Sequence, residues 1–277
     1  DQVVRWMVGR DLDELHARVP PAPGPEALRV RGLSLRHPDR PGDFLLRDIE
    51  FSVRRGEVLG IFGLMGAGRT ELLEALFGLH PETASGEIRI GGQPAVICCP
   101  AAAIAHGLAL APEDRKREGL VLELSVAENT SLASLHEVTR FGLLDERAER
   151  RHVQRYLERF RVKAPSLRQR IRYLSGGNQQ KVILGKWLAT RPRVLLLDEP
   201  TRGIDVNTKR EIYALMDELT ADGLAVVVVS SELPEILAVA DRILVLSEGR
   251  RTAEFTRAEA TSERVMQAAL PQGREAG

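Results

Sequence analysis

Eight consecutive residues, Gly63, Leu64, Met65, Gly66, Ala67, Gly68, Arg69 and Thr70, read GLMGAGRT between the strand-like VLGIF and the helical ELLEALF. A glycine-rich turn in that setting aims backbone N–H groups at an anion, and the dipole of the following helix favours phosphate oxygens. Gly63 and Gly68 occupy the two glycine positions of G-x-x-x-x-G-K-[ST], and the Thr70 hydroxyl stands where it can reach Mg²⁺. The lysine position holds Arg69. Its planar, forked guanidinium is no conservative replacement for a compact ammonium over β- and γ-phosphates. Alone, the segment also fits an ordinary glycine-rich strand-to-helix turn.

Further along, VLLLDEP ends an apolar run in two carboxylates. Asp198 at the strand tip can hold Mg²⁺, directly or through water, and Glu199 can orient and polarise an attacking water. A surface acidic pair is the plain alternative. Between the two segments lies LSGGNQQ, starting at Leu174. Ser175, Gly176 and Gly177 at a helix start expose a hydroxyl and free N–H groups to an anion, although a simple N-cap explains Ser175 equally well. A cap leaves unexplained why the whole string sits a short way upstream of VLLLDEP.

Positioning these groups needs an α/β scaffold. Apolar runs at 58–62, 108–111, 194–197, 225–229 and 243–246 lack period-two alternation, which predicts strands covered on both faces in a mostly parallel sheet. A helix over 209–220 places Ile212, Leu215, Met216 and Leu219 on one core-facing side. The Arg-, Glu- and Leu-rich stretch at about 115–173 is expected to be a helical insertion, with 145–161 a solvated helix face. The Pro-rich residues 19–26 read as a stiff linker, giving a linker from a preceding domain at 1–26 and one folded domain at 27–277.

Composition narrows the classes. The 277 residues carry 39 basic and 39 acidic side chains, 43% hydrophobic and 28% charged, which excludes a disordered tail and a strongly basic nucleic-acid binder. The longest apolar run, 224–229, is far short of a membrane span. Cys98 and Cys99, neighbours in sequence, make a poor disulfide framework and fit a reducing compartment, where the sequon at Asn129 is accidental. The opening DQVVRWMVGRDLDEL has neither an initiator Met nor a signal-peptide pattern, consistent with a piece of something longer.

LSGGNQQ and then VLLLDEPTRGID, after GLMGAGRT, resemble the nucleotide-binding domain of ABC transporters. More narrowly, they resemble the second, C-terminal nucleotide-binding half of the ATPase subunit of ribose/galactose/xylose-type sugar importers. The resemblance covers nearly the whole chain. It implies a RecA-like P-loop NTPase core with a mostly parallel sheet, an antiparallel β subdomain and an inserted helical subdomain. It implies ATP and Mg²⁺ as ligands, with 63–70 as the Walker A loop, Thr70 and Asp198 toward the metal, and Glu199 as the catalytic glutamate. Ser175, Gly176 and Gly177 become the signature that reaches the γ-phosphate held by another domain, and Gly203, Ile204 and Asp205 the D-loop at that interface. The implied partners are a first nucleotide-binding half, transmembrane permease subunits and, indirectly, a sugar-binding protein, with no nucleic acid. The implied location is peripheral, at the cytoplasmic face of the inner membrane.

Three positions depart from an active site of that family. Arg69 replaces the Walker A lysine, Glu113 in APEDRK stands at the Q-loop glutamine, and Ser231 in VVVVSSELPE stands at the switch histidine. An ionised Glu113 would repel a phosphate unless Mg²⁺ lay between, and Ser231 lacks the reach and charge of an imidazole. No Tyr is available in 33–43 to stack on adenine, and His37 reads as a surface residue. The resulting expectation is asymmetric: a good signature given to a partner's site, and a poor Walker A kept for its own. The alternatives are a non-hydrolysing regulatory nucleotide-binding module and a soluble ABC protein acting on ribosomes or DNA. A P-loop small-molecule kinase is set aside, because LSGGNQQ has no role in one.

Overall fold

The computed structural model describes Arg18 and residues 24–271. The chain begins with β1 (Glu26–Arg36) and β2 (Phe44–Arg54), an antiparallel pair. In β1 the buried residues are Ala27, Leu28 and Val30, then Leu33 and Leu35; an irregularity between Val30 and Leu33 shifts the inward phase by one residue. β3 (Val58–Gly63) is buried at all six positions and runs into the loop that precedes α1 (Arg69–Phe77). β4 (Ala84–Ile90) returns to pair with β1, and the short β5 (Gln93–Pro94) completes a four-stranded antiparallel sheet in the order β2-β1-β4-β5.

After α2 (Pro100–His106) and β6 (Leu108–Ala111) comes a π-type turn, Arg115–Gly119. The insertion then holds α3 (Val126–Ser131), α4 (Leu135–Val138), the two-residue strands β7 (Thr139–Arg140) and β8 (Leu143–Leu144), and α5 (Glu146–Arg159). The expected helical insertion thus contains a small hairpin that the pattern did not announce. α6 (Gly176–Leu188) leads back to β9 (Val194–Asp198), followed by α7 (Val206–Ala221), β10 (Ala225–Val229), α8 (Leu233–Val239), β11 (Arg242–Ser247), β12 (Arg250–Thr256) and α9 (Ser262–Ala269).

The central sheet has the order β12-β11-β3-β10-β9-β6, with only β11–β12 antiparallel. Every residue of β3, β6, β9 and β10 is buried, as strands covered on both faces must be. All five apolar runs named above are strands, three of them longer by one or two residues. Parallel strands point their C-terminal ends the same way, so the ends of β3, β9 and β10 gather the glycine-rich loop, the two carboxylates and the Ser230–Ser231 turn at one edge. Among the described residues, no helix is long and apolar enough to cross a membrane.

Candidate nucleotide-binding site

Local geometry makes the loop an anion cradle. A Cβ on Gly63 would lie 2.6 Å from the Leu246 carbonyl oxygen and 2.7 Å from Ala67 Cβ, so only glycine lets the loop close on β11. Gly68, at φ 94°, caps α1 under Leu46 of β2. Gly66, at φ 81°, has nothing within 4 Å of a would-be Cβ, which leaves that side open to a ligand. The Ala67 N–H donates to Leu64 at 3.0 Å, Ala67 is buried, and Met65 at the tip is 97% exposed.

Arg69 does not point into free solvent. Its Nη1 lies 3.5 Å from Glu199 Oε1, with both side chains largely buried. Glu199 adopts φ 45°, a left-handed conformation that turns it off the end of β9, and its N–H donates to Val229 at 3.0 Å. Burial raises the Glu199 carboxyl above its ordinary range, while hydrogen bonding from Ser231 and the charge of Arg69 oppose that rise. Ser231 hydrogen-bonds to the glutamate.

Asp198 is 2% exposed, and its Oδ1 has no hydrogen-bond partner. Burial pushes its carboxyl up to about 6; the Thr70 hydroxyl pulls it down and the Glu199 charge pushes it further up. A buried oxygen with no donor, beside a threonine hydroxyl, fits a hard cation that takes oxygen ligands. Among the described residues no group of three or more His, Cys, Asp or Glu could hold a metal, so Thr70 and Asp198 would share Mg²⁺ with phosphates and water. Both line a cavity of about 820 Å³ whose other walls include Phe77, Leu110, Trp187 and Arg117.

Glu113 of the expected Q-loop position stands at the wall of this cavity. Glu113 is ion-paired with Arg202, so its charge is answered within the chain. Arg115 reinforces the same junction, donating to the Arg202 carbonyl at 2.8 Å and lying toward that of Gly203 at 3.4 Å. Neither arginine was singled out in the sequence, because arginines are frequent here and only the fold shows which ones meet.

The signature forms a surface of its own. Ser175 occupies the N-cap position of α6 but makes no capping bond; its hydroxyl accepts from Asn178 Nδ2 at 2.9 Å. The Asn178 carbonyl in turn accepts from the Lys163 N–H at 2.8 Å, so the middle residue of LSGGNQQ braces the serine against the insertion. Gly177 has no room for a Cβ beside Thr208, and a Cβ on Gly176 would meet the movable guanidinium of Arg115. Asp205 caps α7, accepting from the Thr208 N–H at 3.0 Å and its hydroxyl at 2.7 Å. His37 accepts from the Asp39 N–H at 3.1 Å, an interaction within its own turn.

A buried carboxylate missed in the sequence links these parts. Glu235 of α8 accepts from Thr201 Oγ1 at 2.6 Å, Ser230 Oγ at 2.9 Å and Lys209 Nζ at 2.5 Å. It joins the loop after Glu199, the turn before Ser231 and the helix after Asp205. An acid among the apolar residues of a short helix was the signal that could have marked it.

Comparisons with known proteins agree with this geometry. The ABC transporter family model matches residues 46–202. The chain is 61% identical over 271 residues to the ribose import ATP-binding protein RbsA of Rhodopirellula baltica, covering 98% of this chain and 53% of that protein. It is 50% identical to the xylose import ATP-binding protein XylG of Moorella thermoacetica, again covering 53% of it. The chain thus spans about half the length of the curated relatives it matches. Among solved structures, cbiO1 of Clostridium perfringens, part of the ABC transporter complex cbiONQ, superposes with TM-score 0.71 at 24% identity over 87% of this chain and 93% of that one. The glycine-rich loop and the paired carboxylates meet at one end of the central sheet, with α6 on its flank, and the chain belongs to the ABC transporter family.

Proposed function

We propose that this chain is the second, C-terminal nucleotide-binding half of the ATP-binding subunit of a carbohydrate importer. It binds ATP on the 63–70 loop, with Thr70 and Asp198 toward Mg²⁺, and lends Ser175, Gly176, Gly177 and Asp205 to the site of a first nucleotide-binding half. Transmembrane permease subunits receive the motion, docking near the Glu113 loop and the helical insertion, and a sugar-binding protein delivers the cargo. The assembly lies at the cytoplasmic face of the inner membrane. The identity to ribose and xylose import ATP-binding proteins supports the transport assignment.

One observation carries the asymmetry. Arg69 is held by Glu199, whereas Ser175 stands exposed at the head of α6 with only Asn178 bracing it. In its own site, the guanidinium meets a resident carboxylate before any phosphate, and Glu199 is drawn toward a cation instead of a water. The signature has no such internal partner for its ligand-facing N–H groups. Replacing Ser175 with Arg in the complete two-half protein is therefore expected to abolish most phosphate release. Unchanged turnover would remove the basis of the scheme.

The Arg69–Glu199 pair also favours the second reading, a regulatory module that binds ATP without turning it over. Adding an intact first half separates the two: the importer scheme requires hydrolysis to appear in the mixture, and a regulatory module leaves it absent.

A further inference from the structure

Far from the nucleotide loop, five hydrogen-bond acceptors surround one side chain from the segment ahead of β1. Arg18 is 6% exposed. Its Nε donates to Asp241 Oδ1 and its Nη2 to Asp241 Oδ2, both at 2.7 Å, a bidentate pair. Its Nη1 reaches Asp217 and, at 3.1 Å, Thr220 Oγ1; its Nη2 also points at the Gly56 carbonyl, 3.4 Å away. A guanidinium has five N–H donors in a fixed fork, and each finds an acceptor here. The Thr220 hydroxyl has Met216 O at 3.0 Å to receive its own proton, which leaves its oxygen free to accept.

The acceptors come from elements that matter to the site. Gly56 lies in the turn into β3, and Asp217 and Thr220 lie in the last turns of α7. Asp241 precedes β11 and also accepts from the Val58 N–H at 2.8 Å, the first residue of β3. β3 runs from this pocket to the glycine-rich loop, and α7 runs to it from the Asp205 cap.

We infer that Asp217, Thr220, Asp241 and the Gly56 carbonyl form an arginine receptor whose occupant is this chain's own Arg18. Arg18 is then a strap, part of the nucleotide-binding unit. It clamps the start of β3 to the end of α7 at the sheet edge opposite the nucleotide site. The clamp is independent of nucleotide, so its test stands apart from the proposed function.

The test uses the full chain with Arg18→Ala, Arg18→Lys and Arg18→Met, read by melting temperature and by amide exchange. Removing one side of a buried pair is expected to lower the melting temperature by about 5–10 °C in all three. Lysine fails with the others because a compact ammonium cannot serve five acceptors in a plane. Exchange at the Val58 amide is expected to speed up, while Val228 in the middle of the sheet keeps its protection. An Arg18→Met protein that melts within about 1 °C of wild type, a lysine variant that fully recovers, or an unchanged Val58 amide overturns the inference. A chain starting at Gly24 adds a second readout, expected to match Arg18→Ala; if it does not fold alone, the three point variants decide.

Discussion

At the level of single residues, the site brings opposite charges together within the chain. Arg69 and Glu199 pair at 3.5 Å, and in the proposed site a triphosphate would compete with that carboxylate for the loop's cation. Lysine at this position, shorter and without a fork, is expected to release Glu199 and to tighten Mg·ATP binding by about three- to tenfold, measured by calorimetry. Weaker binding by Arg69→Lys would show that the guanidinium already serves the phosphates. Asp198 makes a second prediction. Burial raises its carboxyl to about 6. A folded-state acid above its unfolded value binds extra protons when folded, so stability falls as pH rises from about 4 through 6, and the ionised form is a net cost above that range. Asp198→Asn is therefore expected to raise the melting temperature by a few degrees at about pH 7.5, with the gain halved at about pH 5 and gone below about pH 4. A gain that persists below about pH 4 would mean that ionisation is not its origin. Mg²⁺ prefers the ionised form, and its binding is expected to weaken below about pH 6.

Whole elements were legible where one physical requirement dominated. β3, β9 and β10 announced themselves because a strand covered on both faces needs unbroken apolar residues. Asp198 and Glu199 were legible because carboxylates at the end of such a strand have few structural uses. The β7–β8 hairpin was not, since two residues per strand give no period, and its turn depends on Phe141 at φ 52° and Gly142 at φ 80°. Nor was the role of Glu235, whose partners lie 34 residues away at Thr201 and 26 away at Lys209, a distance that only folding removes. Truncating that carboxylate leaves the Thr201 and Ser230 hydroxyls without their acceptor and Lys209 with Glu232 alone. Glu235→Ala is expected to cost about 2–4 kcal/mol in a denaturant titration, and Glu235→Gln, which keeps an acceptor, clearly less. Equal losses would assign the residue to packing alone. Asn178 is the intermediate case: its presence in LSGGNQQ marked the family, while its bracing of Ser175 required coordinates.

For the molecule as a whole, the proposed asymmetry between loop and signature predicts what the chain does unaided. Steady-state phosphate release from Mg·ATP by this chain alone is expected to stay at background even at concentrations that populate a homodimer. Turnover abolished by Glu199→Gln would show that Arg69, Glu113 and Ser231 are compatible with hydrolysis, and the half-site scheme would fall. The balanced 39 and 39 charges likewise predict no salt-sensitive retention on DNA or RNA.

The helix that starts at the nucleotide loop and the helix that starts at the signature meet at one aromatic contact. Phe77 of α1 and Trp187 of α6 stand edge to face, 5.5 Å between ring centres, with the Lys186 ammonium 4.8 Å from the indole. The indole N–H is buried without a partner, at the wall of the cavity shared with Thr70 and Asp198. The protein thus carries its own optical gauge. Trp6, the other tryptophan, lies outside the described residues, and a Trp6→Phe protein would leave one emitter at the joint. Any sliding of α1 against α6 on filling the loop changes the distance from indole to ammonium, and with it the colour and yield of fluorescence, without a label being attached.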